Sequence, residues 1–122
     1  MADALSLPAL GYGAANLGNL HRELTDDQAH EVLEAAWDAG IRYYDTAPHY
    51  GIGTSERRLG AFLAPYPREE YVLSTKVGRL LRPGPGTGGD MEHAFAVPDD
   101  HVRAWDFTEG GVRRAHEESL EG

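Results

Sequence analysis

The feature that most constrains this chain is the order in which its periodic segments follow one another: strand, helix, strand, helix, strand. The clearest segment predicts a helix from Thr25 to Ala39. Thr25 and Gln28 have capping-box spacing, and Asp26 and Asp27 sit where the helix dipole favours anions. Ala29, Val32, Leu33, Ala36 and Trp37 recur at the spacing of one buried stripe, and Gly40 supplies a left-handed stop. Ile41 to Asp45 then favours a strand, halted by Thr46-Ala-Pro48. A second helix is expected from Thr54 or Ser55, burying Leu59, Phe62 and Leu63 and ended by Pro65 and Pro67. Tyr71 to Val77 predicts another strand, and Leu7 to Gly13 an earlier one in which Pro8 is confined to the start.

Alternation of this kind predicts a parallel sheet with right-handed crossovers. Successive strands begin about thirty residues apart, and eight such units make the roughly 250 residues of a closed (β/α)8 barrel. With 122 residues, the expected fold is α/β, the N-terminal part of a TIM barrel of about three βα units that cannot close by itself. One domain over residues 1–122 is expected. From Arg79 to about Phe107 the periodicity fails, and Arg82 to Gly89 is too rich in proline and glycine for regular structure. A connection that long predicts a lid or binding loop. A last helix is expected from Thr108 to the end, with Val112, Ala115, Ser119 and Leu120 on one face. The chain stops where a fourth strand is due, which reads as truncation.

Composition closes several routes. There is no cysteine, so disulfide scaffolds, zinc ribbons and thiol nucleophiles are excluded. Eleven basic against twenty acidic side chains give a net charge of −9, which repels nucleic acid. The first residues lack the pattern of a signal peptide and no apolar run is long enough to span a bilayer, so a cytoplasmic protein with no membrane partner is expected.

Three candidates for chemistry fall at one end of the expected sheet, where sites form in parallel α/β folds. Asp45 closes the second strand, Tyr50 lies in the loop after it, and Lys76 is near the end of the third. Side-chain alternation puts Tyr43 with Asp45 and Ser74 with Lys76 on shared faces. If those faces point inward, a carboxylate and an ammonium meet there and offset one another's burial. A neighbouring cation favours a phenolate, so a tyrosine beside that ammonium can exchange a proton with a carbonyl or hydroxyl oxygen. The plainer alternative is a turn-capping Asp45, a solvated Lys76 and a loop-packed Tyr50.

Asp45-Thr-Ala-Pro-His-Tyr50-Gly51, Ser55-Glu-Arg-Arg-Leu-Gly60 and Ser74-Thr-Lys76-Val occur in the order and spacing of the aldo-keto reductases, which this chain resembles from about Leu10 onward. Within the family, Gly13-Ala-Ala-Asn-Leu-Gly18, the block from Asp45 to Gly51 and Ser74-Thr-Lys-Val-Gly-Arg-Leu-Leu81 look most like the aldose-oxidising branch, the D-threo-aldose (L-fucose) 1-dehydrogenases and related pyridoxal dehydrogenases. The resemblance implies a barrel that binds NADP or NAD without a Rossmann domain, and hydride transfer to or from an aldose or other small aldehyde without a metal. It implies Tyr50 as proton donor or acceptor, Lys76 as its activating neighbour and Asp45 as the holder of Lys76. Gly13, Ala14 and Ala15, again with Asp45, match a stretch on the nicotinamide side.

The family's fourth catalytic residue is a histidine at the end of the fourth strand, and none of this chain's histidines occupies that position. The expectation is therefore a chain inactive by itself, prone to self-associate through unpaired sheet edges. A non-catalytic partial-barrel binding module is the rival reading. His49, next to Tyr50, is a candidate for facing substrate. Trp105 and Phe107 either wall a ligand pocket or pack at the last helix's N-terminus. Gly11 to Asn16 lacks the third glycine of a dinucleotide fingerprint, and Gly84 to Gly89 lacks the lysine of a phosphate loop. Asp90, Glu92, His93, Asp99, Asp100 and His101 have no metal-ligand spacing and read as a solvated acidic loop.

Overall fold

In the computed structural model, residues 6–84, 95–97 and 101–121 are described. The order of elements is β1 (Tyr12–Gly13), a 3-10 turn (Ala14–Gly18), α1 (Asp26–Asp38), β2 (Tyr43–Asp45), α2 (Thr54–Leu63), β3 (Val72–Ser74), β4 (Arg79–Pro83), β5 (His101–Trp105) and α3 (Glu109–Glu121). Strands β1, β2 and β3 form a parallel sheet in that order, the arrangement expected of the opening units of a barrel. Its register aligns Gly13 with Asp45 and Asp45 with Ser74.

Local chemistry makes α1 as expected. Thr25 Oγ1 accepts from the Gln28 amide at 3.1 Å, and the Gln28 side chain accepts from the Thr25 amide at 2.9 Å. Gly40 follows with φ +97, the left-handed conformation that releases the chain toward β2. The buried stripe is narrower than its spacing suggests: Ala29, Leu33 and Trp37 are buried, whereas Val32 is 43% exposed at the stripe's edge.

These residues meet Leu59, Phe62 and Leu63 of α2, Leu17 of the 3-10 turn and Tyr44 at the centre of β2. Tyr44 is fully buried, stacks on Trp37 with centroids 6.4 Å apart, and donates its hydroxyl to the Ile41 carbonyl at 3.0 Å. Burying a side chain of that size supplies roughly 1.5–3 kcal/mol. It also commits the even-numbered face of β2 to the helices, so Tyr43 and Asp45 point to the other face.

All three strands of the sheet are shorter than expected, β2 beginning at Tyr43 and not at Ile41. Only Tyr12 and Gly13 pair in β1, and Leu7 and Leu10 are exposed, because no strand lies outside them among the described residues. Strand β3 stops at Ser74, two residues before Lys76.

The larger correction concerns residues 79–107. Arg79 to Pro83 and His101 to Trp105 are antiparallel strands, aligned from Arg79 opposite Trp105 to Pro83 opposite His101. Leu80 is buried, and α3 packs against β4. The glycine-rich tract beyond Gly84 lies outside the described residues, as do Asp90, Glu92, His93, Asp99 and Asp100. Thr108 caps α3 by accepting from the Gly111 amide at 3.0 Å. Gly111 and Ala115 are its buried residues, and Leu120 is exposed.

Candidate active site

The shared register of β2 and β3 brings Asp45 and Lys76 together. Lys76 Nζ donates to Asp45 Oδ2 at 2.8 Å and to the Thr46 carbonyl at 2.9 Å. Ser74 Oγ donates to Asp45 Oδ1 at 2.6 Å, and the Tyr43 hydroxyl lies 3.1 Å from Ser74 Oγ. Because Ser74 spends its proton on the carboxylate, Tyr43 is the donor in the second contact. Ser74 and Tyr43 therefore orient the carboxylate, a role that alternation alone did not bring out.

Charge and solvation compete at this pair. Burial raises the Asp45 carboxyl, but the hydrogen bonds from Lys76 and Ser74 and the ammonium charge outweigh it, leaving the group below its ordinary value. Burial depresses the Lys76 ammonium, but hydrogen bonds with Asp45 and Tyr50 and their attraction outweigh it, leaving it above its ordinary value. The ammonium lies 5.1 Å from the centroid of the Tyr50 ring.

Tyr50 is placed by backbone. Gly18 in the 3-10 turn is pressed so closely on the Tyr50–Gly51 peptide that a Cβ there would stand 2.6 Å from the Tyr50 carbonyl oxygen. Gly51 has φ +65, a conformation that leaves room for this approach only without a side chain. Beside it, the fully buried Ser55 donates to the Ala14 carbonyl at 2.7 Å and meets Thr46 Oγ1 at 2.7 Å. The Ser55 amide also reaches the Tyr50 carbonyl at 3.2 Å. One serine thus ties the turn after β1, the end of β2 and the tyrosine loop. Read in sequence, it is only a helix start.

A cavity of about 330 Å³ opens at this end of the sheet, within the range of small-ligand sites. Pro48, His49, Tyr50, Lys76, Arg79 and Trp105 line it. Both candidate substrate residues, His49 and Trp105, are therefore at the cavity. Trp105 is 63% exposed and stacks with Phe107 at 5.5 Å, and Phe107 leans over Gly78. Of the three residues matched to the nicotinamide side, Gly13 is exposed beside Asp45 and Ala15 half-buried. Ala14 is fully buried, with its carbonyl taken by Ser55.

The β4–β5 hairpin builds one wall. Arg79 Nη1 lies 3.0 Å from His49 Nδ1 and 3.5 Å from Nε2, Arg103 Nε donates to Nδ1, and Arg103 Nη2 donates to the His49 carbonyl at 3.0 Å. The Arg79 guanidinium lies over the Trp105 ring at 3.9 Å. Phe95 is buried against His49 and Tyr50, with ring centroids 5.3 and 6.1 Å away. It is moored through a bridge to Leu20, and Ala96 exchanges hydrogen bonds with Asn19 at 2.8 and 3.1 Å. No cluster of potential metal ligands occurs among the described residues. No described helix is long and apolar enough to cross a membrane.

Residues 9–122 match the Aldo/keto reductase family. The chain is 65% identical over 123 aligned residues to a D-threo-aldose 1-dehydrogenase from a Pseudomonas species, covering 98% of this chain and 37% of that protein. Pyridoxal 4-dehydrogenase from Microbacterium luteolum is 51% identical over 77 residues, 63% of this chain and 22% of that protein. The structure superposes on a glycerol dehydrogenase from Gluconobacter oxydans with a TM-score of 0.66 and 27% identity, covering 91% of this chain and 30% of that one. The chain thus spans well under half the length of these relatives.

Proposed function

The chain belongs to the aldo/keto reductase family, and we propose that it carries the proton-transfer half of an NAD(P)-dependent oxidoreductase site acting on an aldose or similar small aldehyde. The observation that carries this reading is the Asp45–Lys76 ion pair at 2.8 Å with Tyr50 beside it, Lys76 and Tyr50 lining one cavity. The relative named a D-threo-aldose 1-dehydrogenase supports the aldose. A cytoplasmic setting accords with the absence of cysteine.

The residues suit the nicotinamide end of such a cofactor, NADP or NAD. Nothing lies within 4 Å of where a Cβ of Gly13 would stand, so open backbone flanks Asp45 where a flat ring can lie. When bound, the nicotinamide supplies or accepts the hydride. Tyr50 and Lys76 attend to the other half of the reaction. In reduction the Tyr50 hydroxyl gives its proton to the substrate's carbonyl oxygen, and in oxidation it takes the proton of the hydroxyl. Lys76 stabilises the phenolate when the proton has left, and Asp45 keeps the ammonium charged and aimed. Ser74 and Tyr43 fix the carboxylate in turn. Gly13, Ala15 and Asp45 face the cofactor in this reading, with Ala14 acting through its backbone.

The test is Tyr50→Phe in the enzyme carrying this chain. Loss of the hydroxyl is expected to cut turnover by at least about 10²-fold, the scale of general acid–base catalysis, with cofactor affinity nearly unchanged. Undiminished turnover would remove Tyr50 from the mechanism.

A further inference from the structure

Arg79 stands apart from the other charged groups at the cavity. Lys76 has Asp45, whereas Arg79 takes part in no ion pair among the described residues. Its guanidinium is held from two sides, its carbon 3.9 Å from the centre of the Trp105 ring and its Nη1 3.0 and 3.5 Å from the two ring nitrogens of His49. Nε and Nη2 have no hydrogen-bond partner among the described residues. A long flexible side chain has thus been fixed in one orientation with donors left over, in the cavity that also holds Tyr50. Fixing a guanidinium costs rotamer entropy, and a bound ligand then finds its donors already arranged.

We propose that Arg79 is a specificity-determining residue that binds two neighbouring hydroxyl oxygens of a cyclic aldose while Tyr50 attends to the reacting carbon's oxygen. The inference rests on the oxidoreductase reading above and adds to it the group that recognises the substrate away from the reacting carbon. A planar fork with parallel N–H bonds matches a pair of adjacent oxygens, which an aldose presents and a simple aliphatic aldehyde lacks. A site built to donate to such oxygens discriminates against substrates without them, because its donors are then desolvated for nothing.

The test compares L-fucose with butanal in the enzyme carrying this chain. Arg79→Met removes the fork but keeps an apolar stem against Trp105, and Arg79→Lys keeps the charge without the fork. The ratio of kcat/KM for L-fucose to that for butanal is expected to fall about tenfold or more in Arg79→Met, mainly through KM, since a charge-assisted hydrogen bond is lost. Arg79→Lys is expected not to restore it. An equal loss on both substrates would reduce Arg79 to a support for the hairpin and overturn the inference. Rescue by lysine together with a preference for glyoxylate over L-fucose would overturn it too, making the position an anion site. If the unsubstituted enzyme turns over neither substrate, the oxidoreductase reading fails on its own terms, and equilibrium titration with L-fucose followed by tryptophan fluorescence decides about Arg79. Binding weakened about tenfold by Arg79→Met upholds the inference; equal binding, or none, overturns it.

Discussion

Replacing Ser55 with alanine removes one oxygen and no exposed surface. Ser55 is fully buried, Thr46 is 2% exposed, and two 2.7 Å hydrogen bonds pass through the serine hydroxyl. Its single proton goes to the Ala14 carbonyl, so Thr46 donates to it. In the alanine variant the Ala14 carbonyl loses a donor and the Thr46 hydroxyl loses its acceptor, both out of reach of water. Each orphaned group costs about 1–3 kcal/mol, so the variant is expected to lose roughly 2–4 kcal/mol of stability after partial relaxation. Urea unfolding of the enzyme carrying this chain measures it. With a slope of about 1–3 kcal/mol per molar, the midpoint should drop by about 1 M or more at unchanged slope. Thr54→Ala is the comparator, because its 2.6 Å bond to the Gly51 carbonyl closes a local turn only three residues long. A loss below about 1 kcal/mol for Ser55→Ala, or one no larger than for Thr54→Ala, would refute the argument that this hydroxyl joins three segments.

Gly18→Ala puts a Cβ 2.6 Å from the Tyr50 carbonyl oxygen, where backbone cannot give way cheaply. It is expected to lower kcat more than cofactor affinity, because the displaced loop carries Tyr50; the two constants measured together check it, and an unchanged kcat would refute it. The Asp45–Lys76 pair sets the pH limits of its own contribution to stability. The Asp45 carboxyl is held below its unfolded value, so its contribution is present above about pH 4 and fades as the pH falls through the lower folded value. The Lys76 ammonium is held above its unfolded value, so its contribution is full below about pH 10 and fades as the pH rises through the folded value. Unfolding of Lys76→Met against pH should therefore show a difference from the parent that is flat between these limits and shrinks outside them; a step near pH 7 would refute the assignment. The 122-residue polypeptide is expected to self-associate through the open sides of β1 and β3, which sedimentation velocity checks. A single monomeric boundary at high concentration would remove that expectation.

The sequence is most legible where structure is local. The capping box of α1, its stop at Gly40 and the apolar face of α2 depend on residues three to eight apart, and all stand where their spacing puts them. Strand ends are another matter. Pairing is decided by the neighbour, so β1 is two residues long despite a β-favouring run from Leu7, and no local signal says where a partner ends. The hairpin escaped for a related reason. Residues 84–100 separate its two strands, far beyond the two-to-five-residue turns that announce a hairpin, and the glycines and prolines between them look like the end of order. With the hairpin went the placing of Arg79, Arg103 and Phe95 at the cavity; Arg79 belongs to the block from Ser74 to Leu81, but nothing in that block says where its side chain goes, and Arg103 and Phe95 carry no motif.

Asp45 was legible because alternation is a strict rule within a strand, whereas Lys76 lies two residues beyond the end of β3, and the structure shows what enforces the rule at Asp45. A slip of one residue in the pairing of β2 would turn Asp45 toward Trp37 and expose Tyr44. Tyr44 is fully buried between the sheet and α1, so the register that seats its ring is the same register that sends Asp45 to the other face, in line with Gly13 and Ser74. The aromatic core and the charged pair are thus one decision taken at adjacent positions. The hydrophobic side of that decision is the stronger, since losing a buried aromatic costs about 3–5 kcal/mol while a half-exposed ion pair contributes about 1 kcal/mol or less. The carboxylate is aimed by its neighbour's burial more than by the lysine it meets.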